Sequence, residues 1–162
     1  MSPVSNFKGI QLDQLYLPFL QRLLDMIAGL NNENFFFKAS QGYRSFPVQD
    51  DLFAKGRTAP GPIVTQARGG ESAHNFGLAV DFVRIIDGAA SWKNEDYDIL
   101  GFAAAEYGLV WGGSWTRPDR PHIQFPGYVT AEELAPLKAI YLANSDSPLT
   151  SVFKALDAKG LV

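Results

Sequence analysis

The sequence predicts an α+β fold, and three observations carry that prediction. Apolar residues at helical spacing run from Leu12 through Tyr16, Phe19, Leu23 and Ile27 to Leu30. A near-continuous apolar stretch from Leu78 to Ile86 has the length and content of a buried strand. Thr130-Ala131-Glu132-Glu133 is a capping box, spaced to satisfy the first free backbone donors of a helix. With 162 residues, 46% of them hydrophobic and 19% charged, the chain can build one domain around a real core.

The remaining elements follow from local signals. Pro18 is tolerated only in a first helical turn, so the first helix is expected from about Pro18 to Gly29, with a turn at residues 31–34. Phe35 to Ser40 reads as a strand because aromatics cluster between turn residues. Val48 to Lys55 reads as a short helix closed by Gly56. Residues 57–72, with Gly61, Gly69, Gly70 and two prolines, form a long polar loop, and loops of that length are usually functional or mobile. Asn94 can cap a helix running to Tyr107, with Gly108 beyond its end. Leu109 to Trp111 and His122 to Phe125 complete the strands. Pro136 is expected to shorten or bend the helix after Thr130, and Ser147-Pro148 to open a last one ending at Gly160. We divide the chain into a catalytic domain over 1–144 and a helical tail over 145–162, packed on the same domain.

Several function classes are excluded. A net charge of -3 lacks the electrostatic footprint of a nucleic-acid binder. The absence of cysteine removes disulfides, thiolate metal sites, iron–sulfur clusters and thiol nucleophiles. No run of 18 apolar residues exists to span a membrane, and the N-terminal residues show no Sec-type signal. A monomer is expected.

His74 and His122 are the only imidazoles, and each lies in a segment suited to a metal. Asp81 stands inside the apolar run Leu78-Ala79-Val80-Asp81-Phe82-Val83, where an ionised carboxylate costs several kcal/mol unless paired or metal-bound. Two imidazoles and one carboxylate match the three protein ligands of a catalytic zinc site. Alternatively, Asp81 pairs with Arg44, Arg68 or Arg84, and each histidine is a satisfied polar residue. Strand alternation sets His122 and Gln124 on one face, Ile123 and Phe125 on the other.

Asp119 lies three residues before His122, between Pro118 and Pro121, which bend the chain enough to aim both at one site. It is either a general base or an exposed loop aspartate beside Arg120. Arg44 is placed to hold a substrate carboxylate or an oxyanion, or else forms a surface ion pair. Ser72 is a substrate contact or a turn residue. Trp111 and Trp115 flank Gly112-Gly113-Ser114 and wall a cleft or pack in the core.

Ser72-x-His74-x-x-Gly77-x-Ala79-x-Asp81 followed by Pro121-His122 resembles the LAS metallopeptidases. Those comprise D-Ala-D-Ala carboxypeptidases, D-Ala-D-Ala dipeptidases and L-alanyl-D-glutamate endopeptidases. The resemblance covers roughly residues 17–126. Gln41-Gly42-Tyr43-Arg44-Ser45, Leu52 to Thr58 and Trp111-Gly112-Gly113-Ser114-Trp115 resemble the L-alanyl-D-glutamate endopeptidases of bacteriophage endolysins and bacterial autolysins. Ser114 departs from that pattern, which has an acidic residue there.

The resemblance implies a small antiparallel sheet flanked by helices, with Zn2+ on its open face held by His74, Asp81 and His122. It implies Asp119 as catalytic base, Arg44 as the group steadying substrate or transition state, and Ser72 as a substrate contact, with Trp115 beside them. The substrate would be the stem peptide of bacterial peptidoglycan, cut between L-Ala and D-Glu. An endolysin of this kind would wait in the host cytoplasm until a holin opens the membrane, and would then lyse the host. The alternatives are a D-Ala-D-Ala carboxypeptidase, a non-haem iron oxygenase with the same ligand types, and a zinc-holding wall-binding module without catalysis.

Overall fold

A computed structural model describes residues 2–160. Five strands form one antiparallel sheet: β1 (Phe36–Gln41), β2 (Ala79–Ile86), β3 (Ala89–Ser91), β4 (Val110–Trp111) and β5 (His122–Gln124). The spatial order is β1-β2-β5-β4, and β3 pairs with the far end of β2. The five α-helices are α1 (Leu17–Asn32), α2 (Phe46–Ala54), α3 (Asp98–Glu106), α4 (Ala131–Ala143) and α5 (Pro148–Asp157). The architecture is the expected α+β one. Among the described residues no helix is long and apolar enough to cross a membrane.

Alternation gives the sheet two unlike faces. Phe37 and Ala39 of β1, Val80 and Phe82 of β2, and Ile123 of β5 point into the core. There they meet the apolar stripe of α1, which buries Phe19, Leu23, Met26, Ile27 and Leu30. The opposite face carries Asp81, His122 and Gln124, and it is the face left open.

The boundaries differ from the sequence expectations in instructive ways. Helix α1 begins at Leu17 with Pro18 in its first turn, and it continues through Asn31 and Asn32 because Leu30 still has core to bury. The turn comes at Asn34, whose φ of 62° is one that asparagine tolerates. Helix α2 starts two residues earlier than expected, at Phe46 with Pro47 in its first turn. The helix expected from Asn94 is two pieces, a 3-10 turn at Asn94–Tyr97 leading into α3. Helix α4 runs unbroken across Pro136, which removes a single internal hydrogen bond. Its capping box forms: the Glu133 carboxylate accepts from the Thr130 amide at 2.8 Å, and the Glu133 amide donates to the Thr130 hydroxyl at 3.2 Å. Strand β3 is additional, made by a hairpin whose turn residues Asp87 and Gly88 both have positive φ.

The last helix is sewn into the core. Val152 and Leu156 are fully buried in it, and the Tyr16 hydroxyl donates to the Asp157 carboxylate at 2.9 Å. Burial, reinforced by that hydrogen bond, pushes the Tyr16 phenol up to about 12. The neutral phenol is thus favoured by folding. Its contribution is complete below about pH 10, the unfolded value, and is lost as pH rises through about 12. Tyr16→Phe is expected to cost about 1–2 kcal/mol at neutral pH. It should also flatten the fall in stability between about pH 10 and 12. Urea titrations across that range measure both, and an unchanged alkaline fall would clear Tyr16 of the role.

Candidate metal centre and catalytic cleft

Three separate pieces of chain bring the candidate ligands together. Asp81 and His122 are direct cross-strand partners in the β2–β5 register, on the open face. His74 arrives from a 3-10 turn, Ala73–Phe76, that ends at Gly77 with φ 66°. A side chain at Gly77 would collide with the Gln14 carbonyl, so the turn into β2 requires glycine. The His74 carbonyl also accepts from the Arg44 amide at 3.0 Å, which ties this turn to the end of β1.

The donor atoms converge. His74 Nε2 lies 3.2 Å from both Asp81 Oδ1 and His122 Nδ1, and His122 Nδ1 lies 3.1 Å from the same carboxylate oxygen. Ligands about 2.0–2.1 Å from a tetrahedral zinc stand about 3.3 Å apart, close to these separations. The outward ring nitrogens fix the tautomers. His74 Nδ1–H donates to the Gly42 carbonyl at 2.7 Å, which leaves Nε2 a bare lone pair. His122 Nε2 lies 2.9 Å from Gln124 Oε1; the amide of Gln124 is committed to the Tyr128 carbonyl at 2.8 Å, so Oε1 accepts and His122 Nδ1 is bare. Three lone-pair atoms therefore face one point, and each imidazole is braced from behind as metal-ligating histidines usually are. Such a set suits a divalent cation and is repulsive without one.

Protons compete for the same lone pairs. Burial alone would push the Asp81 carboxyl up, but when a proton occupies the cluster in place of a metal, the charge and hydrogen bonds of the protonated imidazoles outweigh it and hold Asp81 well below the usual carboxylate range. Burial likewise pushes His122 down, and its hydrogen bond and charge interaction with Asp81 bring it above the ordinary imidazole value. Arg44 adds positive charge on the other side: its Nη2 is 3.8 Å from Asp81 Oδ2. The arginine reading of Asp81 is met by Arg44, and the geometry leaves room for the metal reading beside it, with one carboxylate oxygen toward the imidazoles and the other toward the guanidinium. Arg84 instead covers the rings of Phe35 and Phe37, and Arg68 covers Phe53.

A cleft of about 770 Å³ opens over this cluster, and Arg44, Ser72, Trp115 and Asp119 all line it. Asp119 is set by Gly112, whose carbonyl accepts from the Asp119 amide at 2.9 Å and from the Trp115 amide at 3.2 Å. A Cβ at Gly112 would stand 2.6 Å from the Asp119 carbonyl and 3.0 Å from His122 Cβ, so only glycine lets the loop lie so close. Asp119 is open to the cleft, yet the protein around it partly desolvates its carboxyl. That desolvation raises it above the usual range, with the His122 charge the largest opposing influence. The Trp115 ring sits 5.0 Å from the His122 ring and walls the site. Ser114 donates to the Trp111 carbonyl at 2.9 Å, and Trp111 donates its indole N–H to the Arg120 carbonyl.

Three polar residues in the site are given no role by the sequence. Gln49 is fully buried; it accepts from Arg44 Nη1 at 2.8 Å and donates to the Ala67 carbonyl at 2.8 Å, so it fixes both the guanidinium and the cleft loop. Asn75 donates to the Arg44 carbonyl and accepts from the Gly70 and Ser72 amides. Gln124 orients His122. Arg44 Nε is buried without a hydrogen-bond partner.

Residues 65–125 match the family model described as D-alanyl-D-alanine carboxypeptidase. Over 96 residues the chain is 44% identical to the peptidoglycan L-alanyl-D-glutamate endopeptidase CwlK of Bacillus subtilis (strain 168), covering 52% of this chain and 58% of that protein. The match thus spans little more than half the relative's length. The L-Ala D-Glu endopeptidase ChiX of Serratia marcescens superposes with a TM-score of 0.56 at 27% identity, over 76% of this chain and 86% of that one. The LD-carboxypeptidase LdcB shares the fold at 22% identity, with a TM-score of 0.53 over 78% of this chain and 75% of its own.

Proposed function

We propose that this chain, a LAS-type metallopeptidase across the segment that carries its candidate site, is a zinc-dependent peptidoglycan endopeptidase cutting between L-Ala and D-Glu. The observation that carries the proposal is the convergence of three bare lone pairs from His74, Asp81 and His122 in a cleft that also holds Asp119 and Arg44. The activity of CwlK, 44% identical over the matched residues, supports the choice of bond.

Zinc held by His74, Asp81 and His122 would supply Lewis-acid polarisation of a carbonyl and water acidified to a pKa of about 7. The chain's own residues do the rest. Asp119 accepts a proton from the attacking water on its carboxylate and returns it to the departing nitrogen; a raised carboxyl suits both halves of that exchange. Arg44, held by Gln49, offers a fixed positive charge to the oxygen on which negative charge develops. Trp115 closes one side against water. Ser72, on the lining of the same cleft, serves as a substrate contact.

The matching family model carries a carboxypeptidase description, which makes D-Ala-D-Ala cleavage the second reading. Purified peptidoglycan digested with and without chelator, followed by mass spectrometry of the fragments, separates the two. New N-terminal D-Glu that disappears with chelator and returns with zinc is the expected result. Release of terminal D-Ala alone would replace this reading with the second, and chelator-resistant cleavage would remove the metal. The same proposal includes an endolysin role with release through a holin pore, one of the two settings, endolysin and autolysin, of the endopeptidases that the Arg44, Leu52–Thr58 and Trp111–Trp115 segments resemble. Lysis of intact cells only after membrane permeabilisation would be its signature.

A further inference from the structure

The cleft has an aromatic feature that the proposed chemistry does not use. Trp92 lines the same cavity as the ligand cluster, yet it is 59% exposed. Its side chain joins a large apolar body to a polar N–H, the combination enriched where one end of a side chain meets a partner and the other meets water. The backbone leading into it is held. The preceding Ser91 pairs with Arg84 across β2–β3, and the Ser91 hydroxyl donates to the Asp96 carboxylate. The Tyr97 hydroxyl lies 3.5 Å from the Ser91 carbonyl. Residues 65–67, which line the same cavity, are fixed as well: Arg57 donates to the Thr65 carbonyl and to Gln66 Oε1, and Gln49 holds the Ala67 carbonyl.

We propose that Trp92 is a saccharide platform: its exposed face stacks on a pyranose ring of the glycan strand to which the stem peptide is attached. This rests on the reading of the cleft as a peptidoglycan endopeptidase site and adds to it the part of the polymer that is gripped. The peptide around the scissile bond offers only a methyl group and a carboxylate side chain, neither of which calls for an indole. The sugar is joined to L-Ala through a lactyl amide, and one extended residue spans about 3.5 Å, so the ring begins within roughly 10 Å of the scissile carbonyl. A pyranose has an apolar C–H face and a polar rim. Trp92 offers an apolar face, and Ser40, Gln41 and Arg117 on the same cleft offer donors and acceptors for the rim.

The test uses the zinc-loaded full chain with Trp92→Ala and Trp92→Phe, and two substrates: a disaccharide-linked stem peptide and the same peptide freed of sugar. Trp92→Ala should lower kcat/KM about tenfold on the disaccharide substrate and less than about twofold on the free peptide, with Trp92→Phe recovering most of the loss. Equal losses on both substrates, or none on either, would overturn the platform. A second measurement does not depend on catalysis: the Trp92 indole N–H resonance, assigned by its absence from Trp92→Phe, is followed while peptide-free disaccharide is added. A shift of that resonance in a protein that cuts neither substrate keeps the platform and removes the endopeptidase reading. A silent resonance in a protein that cuts both, with Trp92→Ala neutral, removes the platform alone.

Discussion

Asp119→Ala is expected to give a folded, metal-binding protein that cuts cell-wall peptide about 10²–10⁴-fold more slowly, the range a positioned general base contributes. The residue stands outside the three-atom cluster, so the candidate metal site keeps its three proposed ligands. Its loop is held by backbone groups that alanine retains: the amide to Gly112 at 2.9 Å, and the carbonyl accepting from the His122 amide at 3.2 Å. The side chain is exposed, and its loss should move stability by no more than about 0.5 kcal/mol. Asp119→Asn preserves shape and removes basicity, so it should be as slow as alanine. Zinc content by elemental analysis, thermal unfolding and chromatographic assay of released fragments together separate the roles. Activity within tenfold of the parent, at full zinc content, would remove Asp119 as base. Loss of zinc together with activity would make it a structural support of the centre.

How much of this was legible beforehand depends on how local each signal is. The two faces of β5 follow from alternation alone, and the structure places Ile123 in the core and His122 and Gln124 on the open face as that alternation requires. The capping box at Thr130 is a four-residue signal and formed where it was read. Asp81 was conspicuous because a carboxylate inside an apolar run must be compensated. The residues that were missed depend on pieces of chain far apart. Gln49 reads as an ordinary polar position on a short helix; it is buried only because residues 65–67 fold back over it. Asn75 matters because Arg44, 31 positions earlier, presents its carbonyl there. Strand β3 was overlooked although Asp87-Gly88 is a hairpin dipeptide, because three residues rich in alanine carry no strand signal of their own. Helix α2 begins at Phe46 and not at Val48: Pro47 in its first turn is a local signal, and the Phe46 ring also stacks on Tyr141 of α4, a contact no local window contains.

The largest expected effect belongs to His122→Ala, which should abolish measurable zinc binding. Removing even the brace behind a metal-bound histidine typically costs 10–100-fold in affinity, so removing the ligand itself should exceed about 10²-fold. The same substitution weakens the fold. His122 is buried, and its loss leaves Gln124 Oε1 without its donor in the interior. An orphaned buried acceptor costs about 1–3 kcal/mol, and the emptied volume adds to that. Two controls separate metal from stability. In the parent protein, zinc at about 100 times its dissociation constant should stabilise by about 2.7 kcal/mol, read as a rise in unfolding temperature. His122→Ala should unfold at one temperature whether zinc is present or chelated. Gln124→Ala retains the ligating Nδ1 and should show an intermediate loss of affinity with a preserved, smaller zinc-dependent rise. A His122→Ala protein that still holds one equivalent of zinc after dialysis, and is still stabilised by it, would mean that the cation sits elsewhere. The cluster of His74, Asp81 and His122 would then be no more than a buried hydrogen-bond network.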